Sequence, residues 1–388
     1  MKRVYLYRQG AYGDQINMSN VIKEFYDQGW EVTCSYNFKG QQIHHCNPYI
    51  HHHEVFEYAQ YMTKSDKEKA PIFAHIARQK AAMKEYDKYV SFQNSIEGAL
   101  IAPESSPEYF WPLRLRRQKN THTCYYDQSM KWAGFTDEKY MGRSGEIFSK
   151  AEDHEFIKNS LLPYKDKFII LWALRGSMWQ KAVCHIAADI CNNWLKEHPD
   201  TVIITTGDKF CQQWEWDSEV GKTIRPEKGL GDGSATLIHR SGRMPFRQAL
   251  LMARYSDLVV TPETGLGIGA GAYGTPKIML LTAASLENIV KNDKNDYSIQ
   301  SDAWCSPCTR AIYNTKNCPQ STTANHLMGK NIDWNHTDFN KIETQPLPIC
   351  VDFTKDQVMT QMRLAHANHG KYNQERRNSG PDERGVYV

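Results

Sequence analysis

The sequence predicts an α/β protein built from two Rossmann-like halves that face each other across a cleft. Three observations carry that expectation. Leu258 to Leu281 reads as a β-branched strand, a polar turn at Pro262-Glu263-Thr264, a Gly-rich helix, a Gly274-Thr275-Pro276 stop and a second apolar strand. That is one parallel βαβ unit. Val4 to Arg8, Gln15 to Tyr26 and Glu31 to Ser35 repeat the same strand, helix, strand order near the start. Phe168 to Leu174 opens a further series of such units, so the pattern occurs twice along the chain.

In the first half, Gln9-Gly10-Ala11-Tyr12-Gly13-Asp14 is the turn after the first strand, and the helix that follows has Ile16, Val21, Ile22 and Phe25 on its apolar side. Asp14 stands at the mouth of that turn, where open α/β sheets bind ligands. Taken by itself, it reads first as a cap of the helix. His44 to His53 is rich in histidine but carries neither an HExxH nor a paired CxxC motif, so it reads as a solvated loop leading into a strand at Val55 to Tyr58. Asp66 to Lys84 is a charged amphipathic helix, and Tyr86 to Asn94 a strand ending in amides. Arg114, Arg116, Arg117 and Lys119, just after Tyr109 and Trp111, form a basic run that reads as a polyanion-binding face or as a solvated helix face. Residues 151–166 are polar and contain Pro163. They separate a first unit, 1–155, from a second, 166–345, with a C-terminal helix and tail over 346–388.

The second half places functional residue types at its strand ends. Arg175-Gly176-Ser177-Met178-Trp179-Gln180-Lys181 is a cationic loop ahead of a helix from Ala182 to Leu195. Thr201 to Thr206 is a strand ending at Asp208, a position suited to ribose hydroxyls. Leu237 to His239 is a short strand followed by Ser241-Gly242-Arg243-Met244 and a helix from Phe246 to Arg254. Glu263 and Thr264 then stand at a helix entrance, where free N–H groups and the helix dipole favour a diphosphate. Cys305, Cys308 and Cys318 make a CxxC with one further cysteine, which His326 would complete as a four-ligand set; no metal is assigned to them. Thr354 to His366 reads as a helix packing back across both halves, and Lys371 to Val388 as a polar tail.

Composition narrows the class. The chain has 388 residues, 40% hydrophobic and 23% charged, with a formal charge of +3, too small by itself to argue for nucleic acid or membrane. No run of about 18 apolar residues exists to span a membrane. The start, Met1 to Arg8, lacks the apolar region of a signal peptide. Ten scattered cysteines fit a reduced, cytoplasmic protein.

A carboxylate facing a cationic loop, an acidic strand end and a Gly-rich helix start suits transfer from a nucleotide diphosphate sugar. The base takes the acceptor hydroxyl's proton, and the helix end and Lys181 stabilise the leaving diphosphate without a metal. These segments resemble glycosyltransferase family 9, the ADP-heptose:lipopolysaccharide heptosyltransferases. Gly10-Ala11-Tyr12-Gly13-Asp14 is similar to the family's Gly-x-x-Gly-Asp loop. Asn47-Pro48-Tyr49-Ile50 and Tyr86 to Gln93 are similar to its landmarks in the acceptor domain. Ser241-Gly242-Arg243-Met244 resembles its donor-base segment, Glu263-Thr264-Gly265-Leu266-Gly267-Ile268 its Asp-Thr-Gly-Leu-x-His signature, and Cys305-Ser306-Pro307-Cys308 its cysteine pair.

The resemblance implies a GT-B fold, an inverting enzyme without cofactor, and Asp14 as catalytic base. It implies donor contacts from Ser177, Lys181, Asp208, Arg243, Met244, Glu263, Thr264, Gly265, Leu266 and Gly267, with Ser177 and Arg175 as alternatives to Lys181 for the loop's phosphate contact. The default acceptor is the anionic lipopolysaccharide core, met by Arg114, Arg116, Arg117 and Lys119 at the inner face of the membrane. DNA carrying hydroxymethylated pyrimidines, as modified by phage enzymes, is the alternative acceptor. Ile268 replaces the signature histidine and Glu263 its aspartate. That substitution also motivates a third reading, a nucleotide-sugar binding protein without turnover.

Overall fold

The computed structural model describes residues 1–56, 66–217, 237–312, 318, 348–370 and 386–387. The first half contains β1 (Arg3–Arg8), α1 (Tyr12–Asp27), β2 (Glu31–Tyr36), α2 (Phe38–His44), β3 (His52–Val55), α3 (Asp66–Glu85), β4 (Lys88–Ser91), α4 (Leu113–Asn120) and α5 (Tyr125–Trp132). β5 (Ser149–Lys150) and α6 (Ala151–Leu161) follow, then β6 (Phe168–Ala173), α7 (Cys184–Glu197), β7 (Thr201–Thr206), α8 (Lys209–Asp217) and β8 (Leu237–His239). The remainder comprises α9 (Phe246–Tyr255), β9 (Leu258–Pro262), α10 (Gly265–Ala272), β10 (Lys277–Leu281), α11 (Leu286–Ile289), β11 (Ile299–Gln300), α12 (Lys355–His369) and β12 (Val386–Tyr387).

Two parallel sheets result, one in the order β3-β2-β1-β4 and one in the order β11-β10-β9-β6-β7-β8. Their inner strands are buried almost throughout because helices cover both faces. Along β1 the period of two is visible. Val4 and Leu6 join Met18, Val21, Ile22 and Phe25 of α1, while Tyr5 and Tyr7 pack with Ala82 of α3 on the other face. In β6, Ile169 and Leu171 face the layer between the sheets, and Ile170 and Trp172 pack with Trp194 of α7 and with Val358 and Met362 of α12.

Strand order sets where a ligand goes. In the first sheet the direction of winding reverses between β1 and β4, and in the second between β6 and β9. The loops leaving neighbouring strands at such a point turn to opposite faces and leave a crevice at the carboxyl ends. The two crevices open toward each other. Contacts between α1 and α10 and the Arg247 Nη1–H bond to Gln42 O (2.5 Å) join the halves around them.

Several expectations need correction. The helix after β1 begins at Tyr12 rather than Gln15, because Asp14 Oδ2 accepts the Ala11 N–H (2.8 Å) and satisfies its first turn. His52 and His53 belong to β3 rather than to a loop; Tyr36 Oη pairs with His53 Nδ1, and His51 Nδ1 accepts the Val32 N–H (3.0 Å). Residues 57 and 58 of the expected strand lie outside the described residues. The strand expected from Tyr86 to Asn94 is shorter, Lys88–Ser91. α12 packs on α7 and β10, where Val358, Met359 and Met362 meet the apolar face of the second sheet. The chain's end is not wholly a tail, since Val386–Tyr387 pairs antiparallel with Ser149–Lys150.

Candidate active site

The crevice between the sheets encloses about 550 Å³, a size suited to a small organic ligand. Asp14, Asn17, Lys39 and Glu97 line it from the first half. Arg175, Ser177, Lys181, Asp208, Met244 and Thr264 line it from the second, together with Glu263, Gly265 and Leu266. Most of the residues singled out in the sequence therefore converge on one cavity.

Asp14 is held from two sides. Oδ2 takes the Ala11 N–H, and Oδ1 lies 3.0 Å from Arg8 Nη2. Arg8, at the carboxyl end of β1, is 1% exposed; Nη1–H donates to Phe92 O, and Nη2 also pairs with Glu97 Oε2 at 2.9 Å. Glu97 keeps a partial opening to solvent. Desolvation by the surrounding protein and the charge of Asp14 nevertheless push its carboxyl above the usual range, against the pull of Arg8. Asp14 thus both caps α1 and stands in the cleft.

On the opposite wall, Thr264 is the N-cap residue of α10, but its hydroxyl pairs with Thr261 Oγ1 (2.8 Å) and makes no cap. Among the described residues no side chain caps the first N–H groups of α10, at the cavity edge. Glu263 is 3% exposed and accepts the Ala283 and Ala284 N–H groups (3.3 and 3.1 Å), and Lys181 Nζ approaches its Oε1 at 3.5 Å. Its carboxylate braces the loop after β10 and anchors Lys181 beside the helix end. Asp208 Oδ1 accepts the Cys211 N–H (3.0 Å), which fixes it at the start of α8. The Arg175 guanidinium lies 4.1 Å from the Phe210 ring centroid.

Other candidates fall elsewhere. Gly267 is a packing glycine: a Cβ there would sit 2.7 Å from Met279 Sδ, so α10 could not lie so close to β10. Arg243 is not at the cavity; its guanidinium lies over the Trp216 ring at 5.9 Å. Ile268 lines the cavity and presses on Gly13, where a Cβ would meet Ile268 Cδ1 at 2.7 Å.

The basic run is likewise not gathered at the cleft. Arg116 is buried and donates to Cys308 O (3.0 Å) and Trp111 O. Arg117 donates to Pro307 O (3.0 Å), Ser306 O (2.7 Å) and Trp304 O (2.9 Å). Lys119 pairs with Glu108 (2.7 Å), and Arg114 is exposed. Carbonyls beyond the last strand of a sheet lack ladder partners, and the planar guanidinium supplies several donors to them at once.

Among the thiols singled out, Cys308 Sγ accepts from Gln180 Nε2 (3.0 Å), and burial pushes it up to about 11. His326 lies outside the described residues. Among the described residues, the one group spaced to share a metal is His45, Cys46 and Asp153, and there Arg247 Nη2 already reaches Asp153 Oδ2 (2.8 Å) and Cys46 Sγ (3.7 Å). No helix among the described residues is long and apolar enough to cross a membrane.

Arg8, Glu97, Lys39 and Phe246 were not singled out in the sequence. A charged residue closing the apolar strand Val4 to Tyr7 was the one local signal, for Arg8.

No family model and no curated protein matches this sequence. Solved structures do match in three dimensions. A glycosyl transferase family 9 protein from Veillonella parvula superposes with a TM-score of 0.60 over 95% of this chain and 97% of its own, at 12% identity. The ADP-heptose lps heptosyltransferase II of E. coli gives 0.58 over 95% and 99%, at 10% identity. The chain has the GT-B fold, two facing parallel sheets with the cleft between them, in the form taken by these glycosyltransferases.

Proposed function

We propose that this chain is an inverting glycosyltransferase that moves a sugar from a nucleotide diphosphate sugar to a hydroxyl of an anionic acceptor, by default a lipopolysaccharide core. One observation carries the reading: Asp14 lines the same cavity as the open N-terminus of α10 and Lys181. On this reading residues 1–155 receive the acceptor and 166–345 the donor. The names of the two similar structures support the reaction class.

In the reaction, the acceptor oxygen forms its bond to the anomeric carbon as Asp14 takes the hydroxyl proton. The bond to the diphosphate breaks on the opposite face, and its electron pair leaves with the diphosphate. The N–H groups of Gly265 and Leu266, the Lys181 ammonium and Arg175 meet that charge, so the chemistry needs no metal. Asp208 receives ribose hydroxyls, and Met244 lies beside the nucleoside.

The test is nucleotide diphosphate release from ADP-, UDP- and GDP-sugars, with core lipopolysaccharide or with duplex DNA containing hydroxymethylated pyrimidines, each with and without EDTA. Release dependent on lipopolysaccharide and indifferent to EDTA is expected. Release only with modified DNA moves the protein to nucleic acid modification. Tight donor binding with no release makes it a binding protein.

A further inference from the structure

On the first half's wall of the cleft, one buried guanidinium serves two carboxylates. Arg8 Nη2 lies 3.0 Å from Asp14 Oδ1 and 2.9 Å from Glu97 Oε2, so those oxygens are at most about 6 Å apart. One positive charge against two negative ones leaves this cluster with a net negative charge, although Lys39 elsewhere on the same wall balances the wall as a whole. Arg8 is sealed beneath, while Asp14 and Glu97 both line the cavity. An anionic group placed against them would meet repulsion in a partly desolvated space. A pair of neighbouring hydroxyls would instead donate one hydrogen bond to each carboxylate, and charge-assisted bonds of that kind are short and strong. Donation to Glu97 would also relieve the desolvation that raises its carboxyl.

We propose that Glu97 is an acceptor-binding residue that takes a hydrogen bond from the hydroxyl next to the reacting one, so that the reacting end of the acceptor is a neutral polyol and its negative groups lie outside the cleft. The inference rests on the reading of Asp14 as the base. It deepens that reading by naming the chemical class at the reacting end: a sugar diol rather than a phosphate-bearing position or a lone hydroxymethyl group. The other charged or titratable groups lining the cavity are Lys39, Arg175, Lys181, Asp208, Glu263, and the phenols of Tyr12 and Tyr125, both of which burial pushes upward so that they stay neutral.

The experiment measures binding of methyl α-mannoside and mannose 6-phosphate, a neutral and an anionic polyol, to the full chain with ADP or UDP present, by saturation-transfer NMR. The wild type is expected to bind the neutral sugar in preference. Glu97→Ala should weaken that binding about tenfold, the worth of one hydrogen bond to a charged group, and Glu97→Gln should narrow the preference over the phosphate. Nucleotide affinity should stay within twofold in both, which also reports that they fold. If Glu97→Ala does not fold, Glu97→Gln carries the test, because the loss of preference reads the charge alone. Neutral-sugar binding unchanged in the variants, no preference in the wild type, or binding of neither sugar overturns the proposal. So does capture of hydroxymethylated duplex DNA that survives Glu97→Ala. Asp14→Asn, assayed for transfer alongside, separates the two levels. Full transfer in that variant removes the base reading itself, whereas Glu97-independent sugar binding removes only the present inference.

Discussion

Gly265 sits so close to Gly13 that a Cβ added to it would lie 2.9 Å from the Gly13 backbone nitrogen. The two helix entrances, one from each half, therefore touch backbone to backbone beside the cavity, and the floor of the cleft is set by two missing side chains. Gly265→Ala must push α1 and α10 apart. Overpacking of this kind costs about 1–3 kcal/mol. Denaturant unfolding should show that loss, and donor binding should weaken with it. Full stability and full affinity in Gly265→Ala would mean that the halves are not held at this spacing.

Asp14→Asn keeps the size of the side chain and removes its charge. Transfer should fall by a factor of about 10² to 10⁴ while donor affinity stays nearly unchanged. Turnover at the wild-type rate would leave Asp14 only its structural places against Ala11 N–H and Arg8.

Lys181→Met tests the donor side. The ammonium, 3.5 Å from Glu263 Oε1, is placed to meet a diphosphate. Its removal should weaken nucleotide diphosphate binding about 10- to 100-fold, the worth of a charged hydrogen bond. Calorimetry with ADP and UDP measures this. An unchanged dissociation constant would shift the role to Arg175 or Ser177.

Arg116→Ala distinguishes a fold contact from an acceptor contact. With its guanidinium buried against Cys308 O and Trp111 O, removal should lower stability by about 2–3 kcal/mol. The salt dependence of acceptor binding should not change. A lowered salt slope with intact stability would return the residue to the acceptor surface.

His154 links stability to pH. It lies buried between Ser149 Oγ and Tyr255 Oη, both at 2.5 Å, and burial lowers its pKa from 6.5 to about 3. Unfolding frees it to take up a proton. Stability from this group is therefore complete above pH 6.5 and is lost as pH falls toward 3, at up to about 1.4 kcal/mol per unit. Unfolding midpoints measured from pH 7 to 4 should slope less in His154→Gln; identical slopes would assign the acid sensitivity elsewhere.

The succession of strands and helices was legible because strands covered on both faces are rich in apolar and β-branched residues, most fully in Phe168 to Ala173. Asp14, Glu263 and Thr264 were legible because each stands where a strand gives way to a helix. Arg8 and Glu97 were not legible as a pair. They are 89 residues apart, and only the pairing of β1 with β4 brings their loops together. Composition misled at Arg116 and Arg117, since a run of arginines looks alike whether it meets solvent or the carbonyls of a distant loop. It misled again at His52 and His53, where Tyr36 across the sheet, invisible locally, provides the partner for a ring.

The clasp of α4 on the loop at 304–308 bears on recombination. Arg116 and Arg117 hold that loop, and Asn288 Nδ2 reaches back to Asn120 O and Thr123 O (both 2.8 Å). The strip that seals the first half is thus encoded in the second. A chimaera joined near residues 151–166, made to graft a new acceptor half onto this donor half, would set foreign helices against a loop shaped for Arg116 and Arg117. Acceptor swapping should succeed only when the segment around 288–312 travels with the half it grips.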